Sequence, residues 1–354
     1  MMTPATPPGG FRAVLSRERW KGVIDFAHAA SAEIVTSMAT SPGVRDAAGR
    51  WQSDQARRLF AYTRSVGGRI AAAEFMNEPT LAAMGGAPEG YDAAAYGRDF
   101  KAFVAFIRAS EPDVMVLGPG SIGETNSHAV QRRFHQLRGT CLQHPAPAST
   151  LFPIITTARL ATMLGIPGQT TPEAALSEAW LASTDKTLAY LPIAQGRVCT
   201  WQADVARPKP PRQLAAAIPG LPTFLDTFRY LDQLGRLAKA GVQMVAHNTL
   251  AASDYGLLDE KTLRPRPNYW AALLWRRLMG TIVLDAGVHQ GMHLYAHCRR
   301  GARRAVTLLA INTDRTTAAT LRLPVASERY TLSADDLQSA EVKLNGTALE
   351  LGPQ

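Results

Sequence analysis

Apolar residues recur at helical spacing from Ser16 to Ala32, with Trp20, Val23, Ile24 and Ala27 on one stripe. The chain then enters a short β-branched run, Glu33 to Met38. The same unit repeats twice. The pattern predicts a helix over Asp54 to Val66, closed by Gly67-Gly68, and a strand over Arg69 to Met76 that ends in Asn77-Glu78-Pro79. A further helix over Asp92 to Ala109 and a strand over Asp113 to Leu117 follow, ending in Gly118-Pro119-Gly120. Helix and strand alternate, and no GxGxxG or GxxxxGK[ST] loop follows any of the strands. This favours a (β/α) barrel over a nucleotide-binding doubly wound sheet, and no nucleotide cofactor is expected.

Residues 138–222 break the rhythm. A helix from Pro172, capped by Thr171 and running through Leu176, Trp180 and Leu181 to Tyr190, is flanked by stretches rich in Pro, Ala and Arg without periodicity. Order returns with a helix over Phe224 to Ala240, a strand over Gly241 to Asn248 and a Trp-containing helix over Pro267 to Met279. After Gly280 the period changes to two: Thr281–Asp285, His293–His297, Ala305–Asn312, Thr320–Pro324, Glu328–Leu332 and a hairpin through Asn345-Gly346 read as antiparallel strands. The expected fold class is α/β: a partial (β/α)8 TIM barrel over residues 1–280, anomalous at 138–222, followed by an antiparallel β-sandwich module over 281–354.

The 354 residues are 46% hydrophobic and 19% charged, which excludes disorder as the dominant state. No apolar run reaches the roughly 18 residues of a membrane-spanning helix, and Met1 to Gly10 has no apolar signal-peptide core. The sequence therefore predicts no membrane-spanning segment and leaves localisation open. A net charge of +9 favours anionic partners or a merely solvated basic surface; its arginines are scattered, and no nucleic acid partner is expected. Cys141, Cys199 and Cys298 are too widely spaced for a CxxC metal site and too few for a disulfide framework, so no metal and no cofactor are expected.

The candidate chemistry starts at Glu78, because barrel enzymes carry their reactive groups at the carboxyl ends of strands. Cleaving a glycosidic bond takes one carboxylic acid to protonate the leaving oxygen. In a retaining enzyme a second carboxylate, about 5 Å away, attacks the anomeric carbon. Phe75 and Met76 supply the apolar setting that keeps an acid protonated, and Asn77 can hydrogen-bond a sugar hydroxyl. Taken alone, the tripeptide is equally a capped turn.

Three longer stretches carry more. GGFRAVLSRERWKGVIDFAHAASAEIVTS from Gly9, AAAEFMNEPT at 71–80, and HNTLAASDYGLLDE at 247–260 with the following RPNYWAALLWRRLMGT closely resemble the heparanase-like glycoside hydrolases, family 79. The resemblance covers most of the chain outside the anomalous middle. It implies a retaining β-glucuronidase or heparanase-type enzyme acting on β-linked uronic acid glycosides, with a carbohydrate substrate. By position Glu78 resembles the acid/base, Asn77 its sugar-binding neighbour, Tyr255 a contact to the uronate carboxylate, and His247 a subsite residue or a structural hydrogen-bonded histidine. Tyr255 is otherwise a half-buried rim aromatic.

The departures are as informative. Against the family the chain lacks the first strand-helix-strand of the barrel and stops inside the sandwich, so truncation at both ends is expected. The cysteine that pairs with the position of Cys298 is absent, which implies a free thiol. The nucleophile motif, Thr-Glu-Thr-Ala followed by Cys-Gly-Gly-Asn, is also missing, as is a His-His-Tyr strand. A frameshift explains both losses. Codons for Leu151 to Arg159, read from each third base, permit Phe-Ser-Tyr-His-His-Tyr-Gly-Ser; the same shift over Arg207 to Pro222 permits Thr-Glu-Thr-Ala-Gln-Ala-Ala-Cys-Gly-Gly-Asn. Between them, Leu191 to Ala206 read from each second base permits Tyr-Ala-Pro-Gly-Lys-Pro-Met-Trp. The attacking glutamate would be encoded across Pro208 and Lys209, so the polypeptide has no nucleophile in frame and little turnover is expected. The competing expectation is a non-enzymatic pseudogene product or a carbohydrate-binding remnant.

Overall fold

A computed structural model describes residues 13–77, 79, 82–83, 85–118, 121–122, 154–155, 172–182, 184–185, 200–202, 223–242, 244–247, 249–252, 256–289 and 291–352. The chain divides into two compact units, Met1–Ile122 with Ala129–Ile154, and Gly123–His128 with Ile155–Gln354.

In the first unit, α1 (Arg17–Ala29) starts where the Ser16 side chain accepts from the Arg19 amide, which satisfies one of the unpaired donors of the first turn. It buries Trp20, Ile24 and Ala27. After α1 the chain passes Ser31, which takes positive φ, and enters β1 (Ile34–Ser37). α2 (Asp54–Ser65) ends at Val66, with Gly67 at φ +80° in the left-handed position that closes many helices. β2 (Ile70–Glu74) follows. α3 (Ala93–Ser110) is capped by Asp92, which accepts from Ala95 N at 2.8 Å, and leads to β3 (Met115–Leu117). The strands pair in parallel in the order β1-β2-β3, with Ser37, Glu74 and Leu117 at one level.

Small residues on β2, Ala72 and Ala73, leave room for a buried aromatic group. Trp51 meets Phe75 edge-on at 5.5 Å, Phe75 meets Phe103 at 5.7 Å, and Tyr96 stacks on Phe100 at 5.6 Å. A buried ion pair ties the loop after β1 to α3: Arg45 Nη1 donates to Asp99 Oδ2 at 2.6 Å, and each side chain is 3% exposed. Asp99 also accepts from Tyr91 Oη at 2.9 Å and Trp51 N at 3.3 Å, while Arg45 Nε donates to the Thr40 carbonyl at 3.0 Å. Removing one partner would strand the other charge in the interior.

The second unit is built around two helices, Phe224–Lys239 and Pro267–Leu278, the latter with Pro267 where its missing N–H costs nothing. Three strands, Met279–Leu284, Met292–Arg299 and Val306–Asn312, form an antiparallel sheet with Met292–Arg299 in the middle. A second antiparallel sheet joins Leu332–Ser333, Lys343–Leu344 and Thr347–Ala348. Its hairpin turns at Asn345 and Gly346, at φ +51° and +85°, the mirror-image turn that this dipeptide favours. Tyr295 and its neighbours Met279 and Ile311 are buried against Phe228, Leu231 and Trp275.

Several sequence expectations change. The strand expected over Gly241–Asn248 shrinks to Met244–Val245, paired in parallel with Thr200–Trp201. The cause is the tight exit from the preceding helix, where Val242 N bonds back to Leu237 O and Gly241 takes φ +82°. The helix expected from Pro172 starts only at Ser177, whose side chain caps Glu178–Leu181, and residues 186–190 lie outside the described residues. Thr320–Pro324 forms no ladder among the described residues: Leu323 and Val325 are exposed, so the alternation has no face to bury. Of Glu328–Leu332 only Leu332 pairs.

Gly235 sits under the Tyr295 ring, and a β-carbon there would lie 2.3 Å from the ring's Cγ. Gly235→Ala is expected to destabilise the chain by about 1–3 kcal/mol through overpacking. Urea unfolding of the two proteins measures this, and an unchanged midpoint would contradict the close approach.

Candidate functional site

Parallel pairing delivers the carboxyl ends of β1, β2 and β3 to one side, and Glu74 is the last residue of the central strand. Ser37 Oγ donates to Glu74 Oε1 at 2.5 Å. Burial pushes the Glu74 carboxyl above its ordinary range, and the Ser37 hydrogen bond partly opposes that shift. Beyond it Phe75 and Met76 are buried, Asn77 is exposed and Pro79 is buried. Phe75 and Met76 are thus apolar and buried, while Glu78 itself lies outside the described residues. Glu74 is not among the candidate residues expected from the sequence. Its signal was available: a single acid in an otherwise apolar strand, Ile70-Ala71-Ala72-Ala73.

His247 belongs to the second unit, two residues after Met244–Val245. It is half-buried and stands edge-on to the Tyr230 ring at 5.3 Å. Tyr230 is pushed up to about 12, first by burial and also by Asp226. Asp226 is buried, which would raise its pKa, but Arg229, at 2.6 and 3.0 Å, and Asn268 Nδ2, at 2.6 Å, outweigh the burial and hold it below the usual carboxylate range. His247 adds to that lowering. Tyr255, Pro208 and Lys209 lie outside the described residues. Asn77 and His247 thus fall in different units.

Among the described residues of the second unit, a set of titratable groups gathers on Asp232, which is 1% exposed. It receives Arg236 Nε at 2.8 Å, Tyr295 Oη at 2.6 Å and His293 Nδ1 at 2.5 Å. Arg236 Nη2 reaches Glu178 at 2.9 and 3.0 Å, and its Nη1 donates to Asp185. His293 Nε2 is also 3.1 Å from Glu178 Oε2, so both ring nitrogens face carboxylate oxygens. Such a ring satisfies both contacts only when doubly protonated. Burial would raise Asp232, but His293, Tyr295 and Arg236 together hold it low. His293 is raised, chiefly by its hydrogen bond to Asp232, against burial. The cluster joins the Phe224–Lys239 helix, the middle strand and the Glu178–Leu181 turn of helix, and its chemistry is that of a clamp. Cys298, on the same strand, carries a free thiol.

No protein-family model matches the chain. Among curated proteins it is 36% identical over 140 residues to baicalin-β-D-glucuronidase of Scutellaria baicalensis, covering 37% of this chain and 26% of that protein. It is 48% identical over 93 residues to heparanase-like protein 1 of Arabidopsis thaliana, covering 25% and 17%. With heparanase of Gallus gallus it shares 35% over 147 residues, covering 36% and 28%. The matched stretches thus span about a quarter of these relatives or less. Among solved structures, a bifunctional glucanase-xylanase from a metagenome library superposes with a TM-score of 0.54 at 14% identity, over 84% of this chain and 73% of that one. A family 51 α-L-arabinofuranosidase from Bifidobacterium longum gives 0.52 at 13%, over 90% and 70%. The fold is accordingly a mixed α/β arrangement akin to that of barrel-type glycoside hydrolases. Among the described residues no helix is long and apolar enough to cross a membrane.

The Asp232 clamp has a definite pH signature. Stability from His293, whose folded pKa exceeds 6.5, is fully present below pH 6.5 and is lost as pH rises through the raised value. Stability from Asp232, whose folded pKa lies under 3.8, is present above pH 3.8 and is lost as pH falls through the lowered value. Urea midpoints should therefore fall as pH rises above 6.5, and His293→Gln should flatten that fall. An unaltered profile in the variant would contradict the clamp.

Proposed function

We propose that this chain descends from a heparanase-like retaining glycoside hydrolase of family 79, acting on β-linked uronic acid glycosides. The observation that carries the reading is the 48% identity over 93 residues to heparanase-like protein 1, supported by the likeness to the plant β-glucuronidase. The parallel β1-β2-β3 sheet is read as part of a (β/α)8 barrel over residues 1–280, and the antiparallel strands as a sandwich-type module over 281–354. Glu78 is the acid/base that protonates the leaving oxygen, four residues beyond Glu74 at the end of the central strand. Asn77 binds the neighbouring sugar hydroxyl, Tyr255 the uronate carboxylate, and His247 borders the subsite. The buried Phe75 and Met76 support the assignment, because an apolar setting keeps a carboxylic acid protonated near neutral pH.

The same reading makes the polypeptide a poor enzyme. Where the attacking carboxylate should be encoded it has Pro208 and Lys209, and neither can form the glycosyl ester that a retaining mechanism requires. Translation slipped out of frame over residues 138–222 is the proposed cause. This favours a second reading for the chain as it stands: a non-enzymatic product, or a remnant that binds carbohydrate without cleaving it.

A chromogenic β-glucuronide assay separates the two. The chain should show no turnover, whereas a version restored to the shifted frames and extended to family length should be active. Glu78→Gln in the restored protein should cost about 10²–10⁴-fold in rate while leaving the unfolding midpoint unchanged. Turnover by the chain itself, or full activity of the Gln variant, would refute the assignment.

A further inference from the structure

The turn between the strands Met292–Arg299 and Val306–Asn312 runs Arg300-Gly301-Ala302-Arg303-Arg304, and the helix Pro267–Leu278 carries Arg276 and Arg277 in its last turn. The main chain brings these two places together. Arg300 N donates to the Leu278 carbonyl at 3.0 Å, Arg300 Nε to the Met279 carbonyl at 3.3 Å, and Thr307 Oγ1 to the Leu278 carbonyl at 3.0 Å. Met279 stands in register with Arg299. With a rise of about 1.5 Å per residue, Arg276 and Arg277 lie within one helical turn of that joint. The turn itself is fixed by Arg299 N bonding to Ala305 O at 2.7 Å and by left-handed φ at Gly301 and Arg304. Arginines that look scattered along the sequence therefore lie on elements whose main chains meet: Arg276, Arg277, Arg299, Arg300, Arg303 and Arg304.

Their surroundings do not neutralise them. Arg276, Arg277, Arg303 and Arg304 are exposed, and none of the four makes an ion pair with a described residue. Arg299 alone faces a carboxylate, Glu328 at 3.4 Å. Cations in the last turn of a helix interact favourably with its dipole, which gives Arg276 and Arg277 a local role. It gives none to Arg303 and Arg304, neighbours in the adjoining turn whose like charges no described carboxylate pairs. A ligand with closely spaced anions pairs them and releases counterions on binding.

We propose that this joint is an anchoring surface for an acidic glycan strand, held through its carboxylate or sulfate groups. All six cations are guanidinium groups, whose planar forks match carboxylate and sulfate oxygens two at a time, which ammonium groups do not. None of the six is among the residues assigned to cleavage or to the sugar at the bond that breaks. The choice of glycan over nucleic acid rests on the function proposed above. The surface adds to that function a place where a long polyanion is retained, whether or not its bonds are cut.

Binding of a heparin dodecasaccharide, a polyglucuronate oligomer and a DNA duplex of similar charge to the whole chain, over a range of sodium chloride concentrations, tests this. The variant Arg276→Gln/Arg277→Gln/Arg303→Gln/Arg304→Gln is compared with Arg50→Gln/Arg58→Gln/Arg98→Gln/Arg108→Gln, which removes the same charge from exposed positions in the first unit. The joint variant should lose at least about tenfold in glycan affinity and most of its salt dependence, and the control little of either. Unchanged urea midpoints exclude misfolding. Should the quadruple variant fail to fold, Arg277→Gln/Arg303→Gln should still lose severalfold. Equal losses in joint and control variants would overturn the surface in favour of diffuse attraction, and tighter binding of the DNA would overturn it in favour of a nucleic-acid surface. If the restored enzyme cleaves β-glucuronide while the joint variant keeps its glycan affinity, the surface fails and the hydrolase reading stands. Joint-dependent binding with no turnover in the restored enzyme means the reverse.

Discussion

Parallel pairing is the constraint from which the rest of the first unit follows. Strands that run the same way bring their carboxyl ends to one side, so whatever chemistry the sequence carries just past those ends is gathered there. Here the register sets Ser37, Glu74 and Leu117 level with one another, and the chain beyond Glu74 runs through two buried residues to Asn77. Burial raises the Glu74 carboxyl above its ordinary range even though Ser37 donates a hydrogen bond to it, so this end of the sheet disfavours a charged carboxylate. A proton donor for a leaving sugar oxygen requires that same property.

The second unit solves a different problem. A long amphipathic helix must lie on a sheet whose middle strand offers His293 and Tyr295 on the same face, two positions apart. One buried carboxylate, Asp232, satisfies both, and the Arg236 guanidinium on the next turn bridges it to Glu178 and Asp185. Gly235 removes the side chain that would otherwise hold the Tyr295 ring away. Packing and charge thus depend on each other: the ring can approach only over glycine, and once there its hydroxyl needs an acceptor. Where the same sheet meets the helix end at Leu278, the arginines that remain unpaired face solvent.

Much of this was legible in the sequence. Helices with strong periodicity and a cap, such as those beginning after Ser16 and Asp92, start within a residue of where the pattern puts them, because local capping and a buried stripe both select those starts. The hairpin at Asn345-Gly346 was readable because only a few residue pairs tolerate positive φ in succession. Among the described residues the ladder expected at Thr320–Pro324 is absent and that at Glu328–Leu332 is reduced to Leu332, since alternation alone does not say whether a covering face exists. At the candidate site the apolar residues Phe75 and Met76 and the lone acid Glu74 in its apolar strand were readable, but the hydrogen bond from Ser37, 37 positions away, was not. The Asp232 cluster and the arginine joint stayed hidden for the same reason: each is assembled from separate elements, and no local pattern records the meeting.

On the proposed reading, what separates a working retaining hydrolase from this polypeptide is a carboxylate that can form a bond to the anomeric carbon. A 2-deoxy-2-fluoro-β-glucuronyl fluoride traps that bond, and intact-protein mass spectrometry reads it directly. The frame-restored protein should gain the mass of one fluoroglucuronyl group, on the restored glutamate, and the chain as it stands should gain none. Labelling of the present chain on any carboxylate would contradict the claim that its attacking partner is missing.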